Sequence, residues 1–556
     1  MRIVVVGGVA GGMSAAARAR RLDESAEIIV LEKGAYVSFA NCGLPYHVSG
    51  EIAAADSLLL HTPATLRASL NLDVRVNHEV TAIDREGKRV AVATPSGPTT
   101  IAYDALVLSP GATAFTPPIP GMNLPQVTQL RTVDDATALA ARVGSAERAV
   151  VLGAGFIGLE AAEALRERGL EVTLVELAPQ VLPPLAPEMS ALVERELVAN
   201  GVTVRTGVAA QGVSELDHGV SVTLSDGTSA PADIVVVSVG VRPNSALAAD
   251  AGLALDERGA IVVDHHQRTN DLAIWAVGDA TAVTHGVTGA VGPVPLAGPA
   301  NRQGRRAADS IFDRAKGAEP VLGTAIVRVF SLTAAMTGAS PRQLDAAGIE
   351  HTTLHLHPGH HAGYFPGASA VHMLASFAPD GRLLGAQAVG TEGIDKRIDV
   401  LATALRAGMD ADDLAELELA YAPPYGSAKD PVNMVGFMMQ NVMDGTLKLW
   451  HPADLDWARD NALILDVRSA AEFRSGHLAG ALHVPHVELR ERLDEVREAA
   501  MGRPVRVHCA SGFRSYLAHR VLAQEGFDSA NLSGGMMTLK ATIPDLDLVT
   551  GAPAYA

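Results

Sequence analysis

Two stretches of the chain share one pattern of hydrophobic and polar residues. In each, a short apolar run leads into a glycine cluster, a helical segment follows, and a second apolar run ends at a glutamate. In the first stretch the apolar runs are Ile3 to Val6 and Ile28 to Leu31, a helix is predicted from about Met13 to Leu22, and Glu32 closes the unit. The pattern predicts a strand, a tight turn, a helix and a second strand.

The second stretch has the same order. Strands are predicted at Ala149 to Leu152 and Val172 to Val175, a helix at Leu159 to Arg168, and Glu176 closes the unit. Two more strand-like runs, each followed by glycine, are Ile234 to Val239 and Ala273 to Val277. The two units indicate an α/β protein that binds two nucleotides, or a chain in which one unit was duplicated.

Composition narrows the class of protein. Apolar residues make up 48% of the 556 residues, which is enough for several packed cores and excludes disorder as the main state. The formal charge of −18 gives no support for binding nucleic acid or an anionic membrane. No apolar run approaches the ~18 residues of a membrane span. The two cysteines, Cys42 and Cys509, cannot form a disulfide scaffold, so a reducing, cytoplasmic location is expected.

The first glycine cluster matches the dinucleotide-binding fingerprint imperfectly. That fingerprint has glycine at the first, third and sixth positions of the turn. Gly7 and Gly12 fit, but Val9 takes the third position, which leaves an ordinary tight turn as an alternative. Glu32 lies about twenty residues further on, where an acid can accept hydrogen bonds from ribose hydroxyls.

The second glycine cluster matches the fingerprint strictly, with Gly153, Gly155 and Gly158. Glu176 would accept a hydrogen bond from a ribose 2′-hydroxyl and repel a 2′-phosphate. The three residues after it, Leu-Ala-Pro, supply no cation for that phosphate. The sequence therefore favours NADH over NADPH at this unit.

A third motif, Trp-Ala-Val-Gly-Asp at residues 275–279, follows the two units in order. With them, the chain resembles the two-dinucleotide-binding flavoprotein disulfide reductases over roughly residues 1–445. The resemblance implies FAD in the first unit and NAD(P)H in the second, on opposite faces of the isoalloxazine. The residues it places at FAD are Gly7, Gly8, Ala10, Gly11, Gly12, Glu32, Lys33, Gly111, Gly278 and Asp279, and those at the nicotinamide nucleotide are Gly153, Gly155, Gly158 and Glu176.

Cys42 lies in the segment Ser-Phe-Ala-Asn-Cys-Gly-Leu-Pro-Tyr, residues 38–46. Gly43 and Pro45 mark a turn or helix start, where N–H donors favour a thiolate. Reductases of the glutathione reductase branch carry a second cysteine five residues away, but Val37 and His47 stand at those distances here. With no internal dithiol, Cys42 is expected to cycle as a mixed disulfide, persulfide or sulfenic acid.

The resemblance is strongest to the coenzyme A-disulfide reductases, which share the Gly-Gly-Val-Ala-Gly-Gly turn and the segment around Cys42. Peroxidases and oxidases of the single-cysteine branch carry a histidine where this chain has Ala10, so these activities are less favoured. The resemblance implies a homodimer in which Tyr364 and Tyr421 reach the cysteine of the partner. A phenol there could donate a hydrogen bond to a departing thiolate and make it a better leaving group, although both tyrosines could simply be core residues of the interface. The coenzyme A contacts it implies are Ser14, Arg18, Arg21, Ser38, Asn41 and Lys429, with Arg20 beside them on the same predicted helix.

The C-terminal part resembles a rhodanese domain, on the motif Val-Arg-Val-His-Cys-Ala-Ser-Gly-Phe-Arg-Ser at residues 505–515. Loop N–H groups and a helix predicted from about Ser515 would stabilise a Cys509 thiolate or persulfide. Four residues separate Cys509 from Arg514, one fewer than in the tyrosine phosphatase loop, which favours a sulfur atom over a phosphate. Cys509 and Arg514 are therefore predicted to be catalytic.

The predicted fold is α/β, with two Rossmann-like domains, an α+β dimerisation domain and a C-terminal α/β rhodanese domain. The expected boundaries are 1–110 with 245–320 for FAD, 111–244 for NAD(P)H, 321–445 for dimerisation, 446–453 for a linker and 454–556 for the rhodanese domain. No metal site is expected, and the partners are coenzyme A and small sulfur compounds.

The predicted function is NAD(P)H-dependent reduction of coenzyme A disulfide, coenzyme A persulfide or polysulfide, with sulfane-sulfur transfer at Cys509 and release of sulfide. The alternatives are an NADH oxidase or peroxidase, and a sulfur carrier that serves a protein partner.

Overall fold

A computed structural model describes residues 1–551, and its residues fall into two compact units. The first contains Met1–Leu182 and Leu197–Gly323, and the second contains Pro183–Glu196 and the chain from Thr324 onward. The helix Pro187–Ala199 spans the boundary between them. No helix within the described residues is long and apolar enough to cross a bilayer.

The first unit contains two five-stranded parallel sheets. The strands of one, in spatial order, are Ile274–Ala276, Ala105–Leu108, Arg2–Val6, Glu27–Leu31 and Asp73–Arg75. Those of the other are Val202–Arg205, Glu171–Val175, Arg148–Leu152, Ile234–Val237 and Val127–Thr128. In both sheets the central strand is the one that runs into the glycine cluster, so both clusters lie at a carboxyl edge, where parallel sheets bind ligands.

Helices follow both glycine clusters, and they begin earlier than the sequence predicts. They run Ala10–Leu22 and Phe156–Glu167 rather than from Met13 and Leu159. The prediction assigned all of each cluster to the turn, but the last glycines of each are already in the first helical turn. The backbone N–H groups of that turn therefore face the end of the sheet.

Smaller elements complete the first unit. Its remaining helices are Leu44–Ser49, Pro63–Leu70, Val133–Val143, Ala246–Asp250 and Ala297–Ile311, with 3₁₀ turns Asn41–Gly43 and Ala55–Leu58. Two three-stranded antiparallel sheets consist of Glu79–Asp84, Arg89–Ala93 and Thr99–Ala102, and of Ala210–Glu215, Val220–Leu224 and Ser229–Ala232. The strand pairs are Ala112–Ala114 with Val241–Pro243, and Ala282–Thr284 with Val291–Pro293.

The second unit opens with a five-stranded antiparallel sheet covered by helices. Its strands in spatial order are Ala325–Val329, Leu332–Gly338, Leu383–Gly390, Val371–Phe377 and Thr352–Leu356. Its helices are Pro341–Ala346, Ile394–Ala407, Ala411–Glu416 and Pro431–Met443. The side chain of Arg397 is buried and donates to Asp430 over 2.9 Å, and Asp430 caps the last helix, so this ion pair ties two helices together.

The C-terminal part of this unit is a five-stranded parallel sheet. Its strands are Leu449–Trp450, Ser529–Leu532, Val505–His508, Leu463–Asp466 and Leu482–His483. Its helices are Leu455–Asn461, Ala470–Ser475, Leu493–Ala500, Phe513–Gln524 and Gly535–Thr542, with 3₁₀ turns Pro452–Asp454 and Leu489–Glu491.

The prediction of a linker at 446–453 needs correction. Leu449–Trp450 is an edge strand that pairs with Ser529–Leu532, and Trp450 is buried. The Trp450 indole N–H also donates to the Val507 carbonyl over 3.2 Å. The segment is therefore part of the C-terminal sheet. The mixed α/β fold class with its Rossmann-like sheets is confirmed, while the other domain boundaries stay predictions.

Candidate active site

The first glycine turn has the shape of a dinucleotide site despite Val9. A Cβ at Gly12 would lie 1.9 Å from the Gly7 carbonyl oxygen, so the helix can approach the strand this closely only with glycine there. Val9 stands outside that contact, as the residue that precedes the helix. The Glu32 carboxylate accepts the N–H groups of Gly8 at 2.7 Å and Gly34 at 2.8 Å, which fixes it beside the turn.

The second turn repeats this arrangement. Glu176 accepts the N–H groups of Ala154 at 2.7 Å and Ala178 at 2.8 Å. A Cβ at Gly158 would lie 1.8 Å from the Gly153 carbonyl oxygen, whereas a Cβ at Gly155 would have no atom within 4 Å. Among residues 1–551, no packing contact requires glycine at residue 155, and the open space suits a pyrophosphate close to the backbone.

The remaining residues predicted at FAD lie around the first sheet. Gly278 follows the strand Ile274–Ala276 with φ +83°, and its N–H donates to the Gln303 side chain over 2.6 Å. Asp279 next to it pairs with Arg131 at 3.4 Å. Gly111 also has a positive φ, and a Cβ added there would face the Arg131 guanidinium. The Lys33 side chain is exposed. The residues of both turns fit two dinucleotides.

Cys42 lies in the 3₁₀ turn Asn41–Gly43, directly before the helix Leu44–Ser49, so the predicted helix start is confirmed. It is a free and exposed cysteine. Partial burial of the thiol raises its pKa, the charges of Glu160 and Asp279 raise it further, and Arg131 opposes them. Glu160 lies in the helix after the second glycine turn, and Asp279 lies just beyond a strand of the first sheet, so Cys42 lies near both parallel sheets of the first unit.

The expectation that helix-start N–H groups favour a Cys42 thiolate needs correction. The N–H of Gly43 donates to the Ala40 carbonyl over 2.9 Å, and the N–H of Leu44 donates to the Asn41 carbonyl. The 3₁₀ turn thus uses the donors that were expected to face the sulfur. The protein groups around Cys42 therefore favour the thiol.

The residues predicted to contact coenzyme A have different environments. On the helix Ala10–Leu22, Ser14 bonds the Asn301 side chain at 2.5 Å, Arg18 pairs with Asp309 at 2.6 Å, and Arg21 is exposed. Arg20, considered with them, is instead buried and donates to backbone carbonyls. Arg20 is therefore structural.

Two further predicted contacts flank the cysteine. Ser38 has φ +50°, and its N–H donates to the Gly8 carbonyl over 2.8 Å, which joins the cysteine segment to the first glycine turn. The Asn41 side-chain oxygen is buried and has no hydrogen-bond partner within residues 1–551. An unpartnered oxygen beside Cys42 suits a donor on a bound ligand. Lys429 lies in the second unit, where it is exposed.

The second unit brings the two predicted tyrosines together. The hydroxyl groups of Tyr364 and Tyr421 lie 3.3 Å apart, and the side chains are 77% and 49% exposed. Their hydrogen bond raises the pKa of Tyr364. The two phenols therefore form a hydrogen-bonded pair that is accessible from outside the chain.

Cys509 follows the strand Val505–His508 and precedes the helix Phe513–Gln524, which begins two residues before the predicted start. It is fully buried, and its Sγ accepts the N–H of Gly512 and the hydroxyl of Ser515, both at 3.2 Å. Arg514 is held by Glu472 through two hydrogen bonds of 2.6 and 2.8 Å. The loop thus encloses one sulfur atom with donors directed at it.

Comparisons with known proteins assign three parts of the chain to known families. Residues 1–304 match the pyridine nucleotide-disulphide oxidoreductase family, residues 324–431 match its dimerisation domain, and residues 452–542 match the rhodanese-like domain. The chain belongs to the pyridine nucleotide-disulphide oxidoreductases. Membership implies FAD and NAD(P)H, which the two glycine turns fit, and the dimerisation domain indicates a homodimer.

Specific members of the pyridine nucleotide-disulphide oxidoreductases resemble the chain over most of its length. The coenzyme A disulfide reductase of Staphylococcus haemolyticus is 36% identical over 451 residues, which are 79% of this chain and all of the relative. The crystal structure of the reduced Bacillus anthracis protein CoADR-RHD is 41% identical, with a TM-score of 0.96 over 99% of both chains. An NAD-dependent persulfide reductase from A. fulgidus is 39% identical, with a TM-score of 0.91 over 97% of this chain and all of that one. The predicted resemblance to a coenzyme A-disulfide reductase fused to a rhodanese domain is confirmed.

In this oxidoreductase, sequence reasoning missed the charged residues around Cys42. Glu160 and Arg131 influence its thiol. Glu160 was within reach, because it lies two residues after Gly158 in the helix of the second βα unit, whereas Arg131 lies outside both βα units. Ser515, which donates to Cys509, was within reach, because it directly follows the recognised Arg514.

Proposed function

We propose that the protein uses NADH to reduce the disulfide or persulfide of coenzyme A through Cys42, and that Cys509 transfers sulfane sulfur to or from coenzyme A with release of sulfide. The observation that carries the proposal is an exposed thiol near both parallel sheets of the first unit, in a chain whose other cysteine is buried in a different unit. Cys42 therefore needs a sulfur partner that diffuses in.

One turnover of the sulfur substrate at Cys42 consumes two electrons. The Cys42 thiolate attacks the inner sulfur of coenzyme A persulfide, the S–S bond breaks, HS⁻ leaves, and a Cys42–coenzyme A mixed disulfide forms. Two electrons then cleave the mixed disulfide to the Cys42 thiolate and coenzyme A thiolate. When the substrate is coenzyme A disulfide instead of the persulfide, the group that leaves in the first step is a coenzyme A thiolate. When bound, FAD supplies the two-electron relay from the nicotinamide to the sulfur.

Side chains of the protein would position the substrate and protonate the leaving thiolate. The Asn41 oxygen and the Ser38 segment would position the incoming ligand, with Ser14, Arg18 and Arg21 toward the rest of coenzyme A. Lys429 is a separate proposed contact for coenzyme A. Tyr364 and Tyr421 would protonate the departing thiolate, each pair serving Cys42 of the partner subunit in a homodimer. A cytoplasmic, reducing setting suits both free cysteines.

NADH is the proposed reductant because of the surroundings of Glu176. Both carboxylate oxygens are fixed by backbone N–H groups, so a 2′-phosphate would meet a negative charge that cannot turn away. The neighbouring Arg205, on the adjacent strand, is paired with Asp226 and is not available to bind that phosphate.

The Cys42→Ser variant tests the function. It should bind FAD normally but lose NADH-dependent release of sulfide from coenzyme A persulfide by at least about 100-fold, because no other thiol of the first unit can form the mixed disulfide. Cys509→Ser is the matched control, which should keep reduction of coenzyme A disulfide. Sulfide release that persists in Cys42→Ser would contradict the proposal, and rapid oxygen uptake by the wild type without a sulfur substrate would favour an NADH oxidase.

A further inference from the structure

The positive charge beside Cys509 is neutralised within the domain. Arg514 is the charged residue of the loop 509–514, and both of its terminal nitrogens donate to Glu472. This hydrogen bonding lowers the pKa of Glu472 to about 2. It also raises the pKa of Arg514, and the nearby Cys509 raises that pKa further. The two groups are therefore an ion pair at neutral pH, with no net charge to offer a substrate.

The groups behind the loop add no cation. Arg468 is buried and pairs with Asp466 at 2.6 Å. His508 precedes the cysteine, and burial lowers its pKa to about 4, so it is neutral at pH 7. A small dianion that reaches Cys509 would thus meet polar N–H groups and a neutral pair.

The loop has an apolar rim. Phe513 is 61% exposed, and Leu517 lies one turn along the same helix and is exposed as well. Met537 is also exposed, and its N–H donates to the Ala510 carbonyl over 2.9 Å, which places it beside the loop. Three exposed apolar side chains beside the loop that holds Cys509 suit an uncharged organic arm better than a hydrated ion.

From this charge balance we infer that Cys509 takes sulfane sulfur from persulfides of thiols whose arm next to the sulfur is uncharged, and that Glu472 excludes small dianionic donors such as thiosulfate by pairing with Arg514. This inference rests on the proposed sulfur transfer and adds the donor class. The Cys509 thiolate attacks the outer sulfur of R–S–SH, the S–S bond breaks, a Cys509 persulfide forms, and R–S⁻ leaves without any external oxidant or reductant. With thiosulfate the leaving group would be sulfite, a dianion that needs a free cation.

The test measures donor choice in the full-length protein loaded with FAD, without NADH. Cyanide removes sulfur from the Cys509 persulfide as thiocyanate, and the rate of Cys509→Ser is subtracted as background. The wild type should favour glutathione persulfide over thiosulfate by at least about tenfold in kcat/KM, and Glu472→Gln should raise the thiosulfate to persulfide ratio by about tenfold or more. Glutamine retains the cap that Glu472 makes with Ser469, so the helix should persist, as a melting curve would show.

Glu488→Gln is the matched control, since Glu488 pairs with Arg492 elsewhere in the domain, and it should leave the ratio unchanged. Equal use of both donors by the wild type would overturn the inference, and so would a Glu472→Gln variant that loses both activities equally. The assay contains no NADH and measures sulfur transfer at Cys509 alone, so its result is distinguishable from a failure of the proposed reductase activity.

Discussion

Cys42 and Cys509 are both free thiols, but their surroundings suit them to different sulfur partners. Cys42 is exposed, and the N–H groups beside it are used by its own 3₁₀ turn. Cys509 is fully buried under donors from Gly512 and Ser515. An open thiol can accept a bulky disulfide, whereas an enclosed one can hold a single additional sulfur atom. This difference supports the proposal that Cys42 carries out disulfide reduction and Cys509 carries out sulfur transfer.

The buried His508 next to Cys509 predicts how the stability of the rhodanese domain depends on pH. Both ring nitrogens lack hydrogen-bond partners among the described residues, and burial lowers the pKa to about 4 despite Asp466 at 3.8 Å. In the unfolded chain the pKa returns to about 6.5, so between pH 6.5 and 4 only the unfolded state takes up this proton. Stability contributed by neutral His508 is thus lost as the pH falls, by up to about 1.4 kcal/mol per pH unit.

The expected result is that His508→Leu flattens the pH dependence of thermal unfolding of the rhodanese domain between pH 7.5 and 5. Scanning calorimetry of the full chain measures it, and His218→Leu, at an exposed histidine, should keep the slope of the wild type. Equal slopes for His508→Leu and wild type would show that His508 does not carry the effect.

At the scale of elements, the glycines of the second turn have separable roles. A Cβ at Gly158 would collide with the Gly153 carbonyl. A Cβ at Gly155 would have no atom of the described part of the chain within 4 Å, and the backbone there has an ordinary φ of −78°. Gly155→Ala should keep the stability and FAD content of the wild type but raise the KM for NADH by about tenfold, since the methyl group would occupy the space of the pyrophosphate.

Gly158→Ala is the contrasting variant, and it should lower the melting temperature because the helix must move away from the strand. Stopped-flow reduction of the flavin by NADH and thermal melting separate the two effects. If Gly155→Ala bound NADH as the wild type does, the assignment of the second turn to the nicotinamide nucleotide would be refuted.

Local sequence patterns predicted these elements well, because each βα unit is specified by contiguous residues. Long-range contacts could not be predicted in this way. The strand Leu449–Trp450 was assigned to a linker because its partner, Ser529–Leu532, lies far along the chain. Arg20 was placed with the exposed arginines because its carbonyl acceptors are on a different segment. The pKa of Cys42 depends on its burial and on charges from three distant segments of the chain, so its direction could not be predicted.

At the scale of the whole molecule, the tyrosine pair predicts that the active site is shared between subunits. Tyr364→Phe/Tyr421→Phe should lower turnover of coenzyme A disulfide by about 100-fold or more, because the departing thiolate loses its proton donors. If the tyrosines act on the partner's cysteine, a mixed dimer with Cys42→Ser contains one intact site. Random exchange of the two inactive variants should then restore about a quarter of the wild-type activity.

Mixing each variant with itself provides the control, and it should restore nothing. A mixed sample that stays inactive although native mass spectrometry shows exchanged dimers would place each tyrosine pair in the same subunit as the cysteine it serves.

The central claim is that Cys42 forms a mixed disulfide with coenzyme A. Intact-protein mass spectrometry under nonreducing conditions, followed by peptide mapping, tests it most directly. After the NADH-reduced enzyme has reacted with coenzyme A disulfide, we predict one coenzyme A attached to Cys42 in the wild type and in Cys509→Ser. Cys42→Ser should carry none. Coenzyme A found only on Cys509, or a Cys42 that carries sulfenic acid and never coenzyme A, would contradict the account.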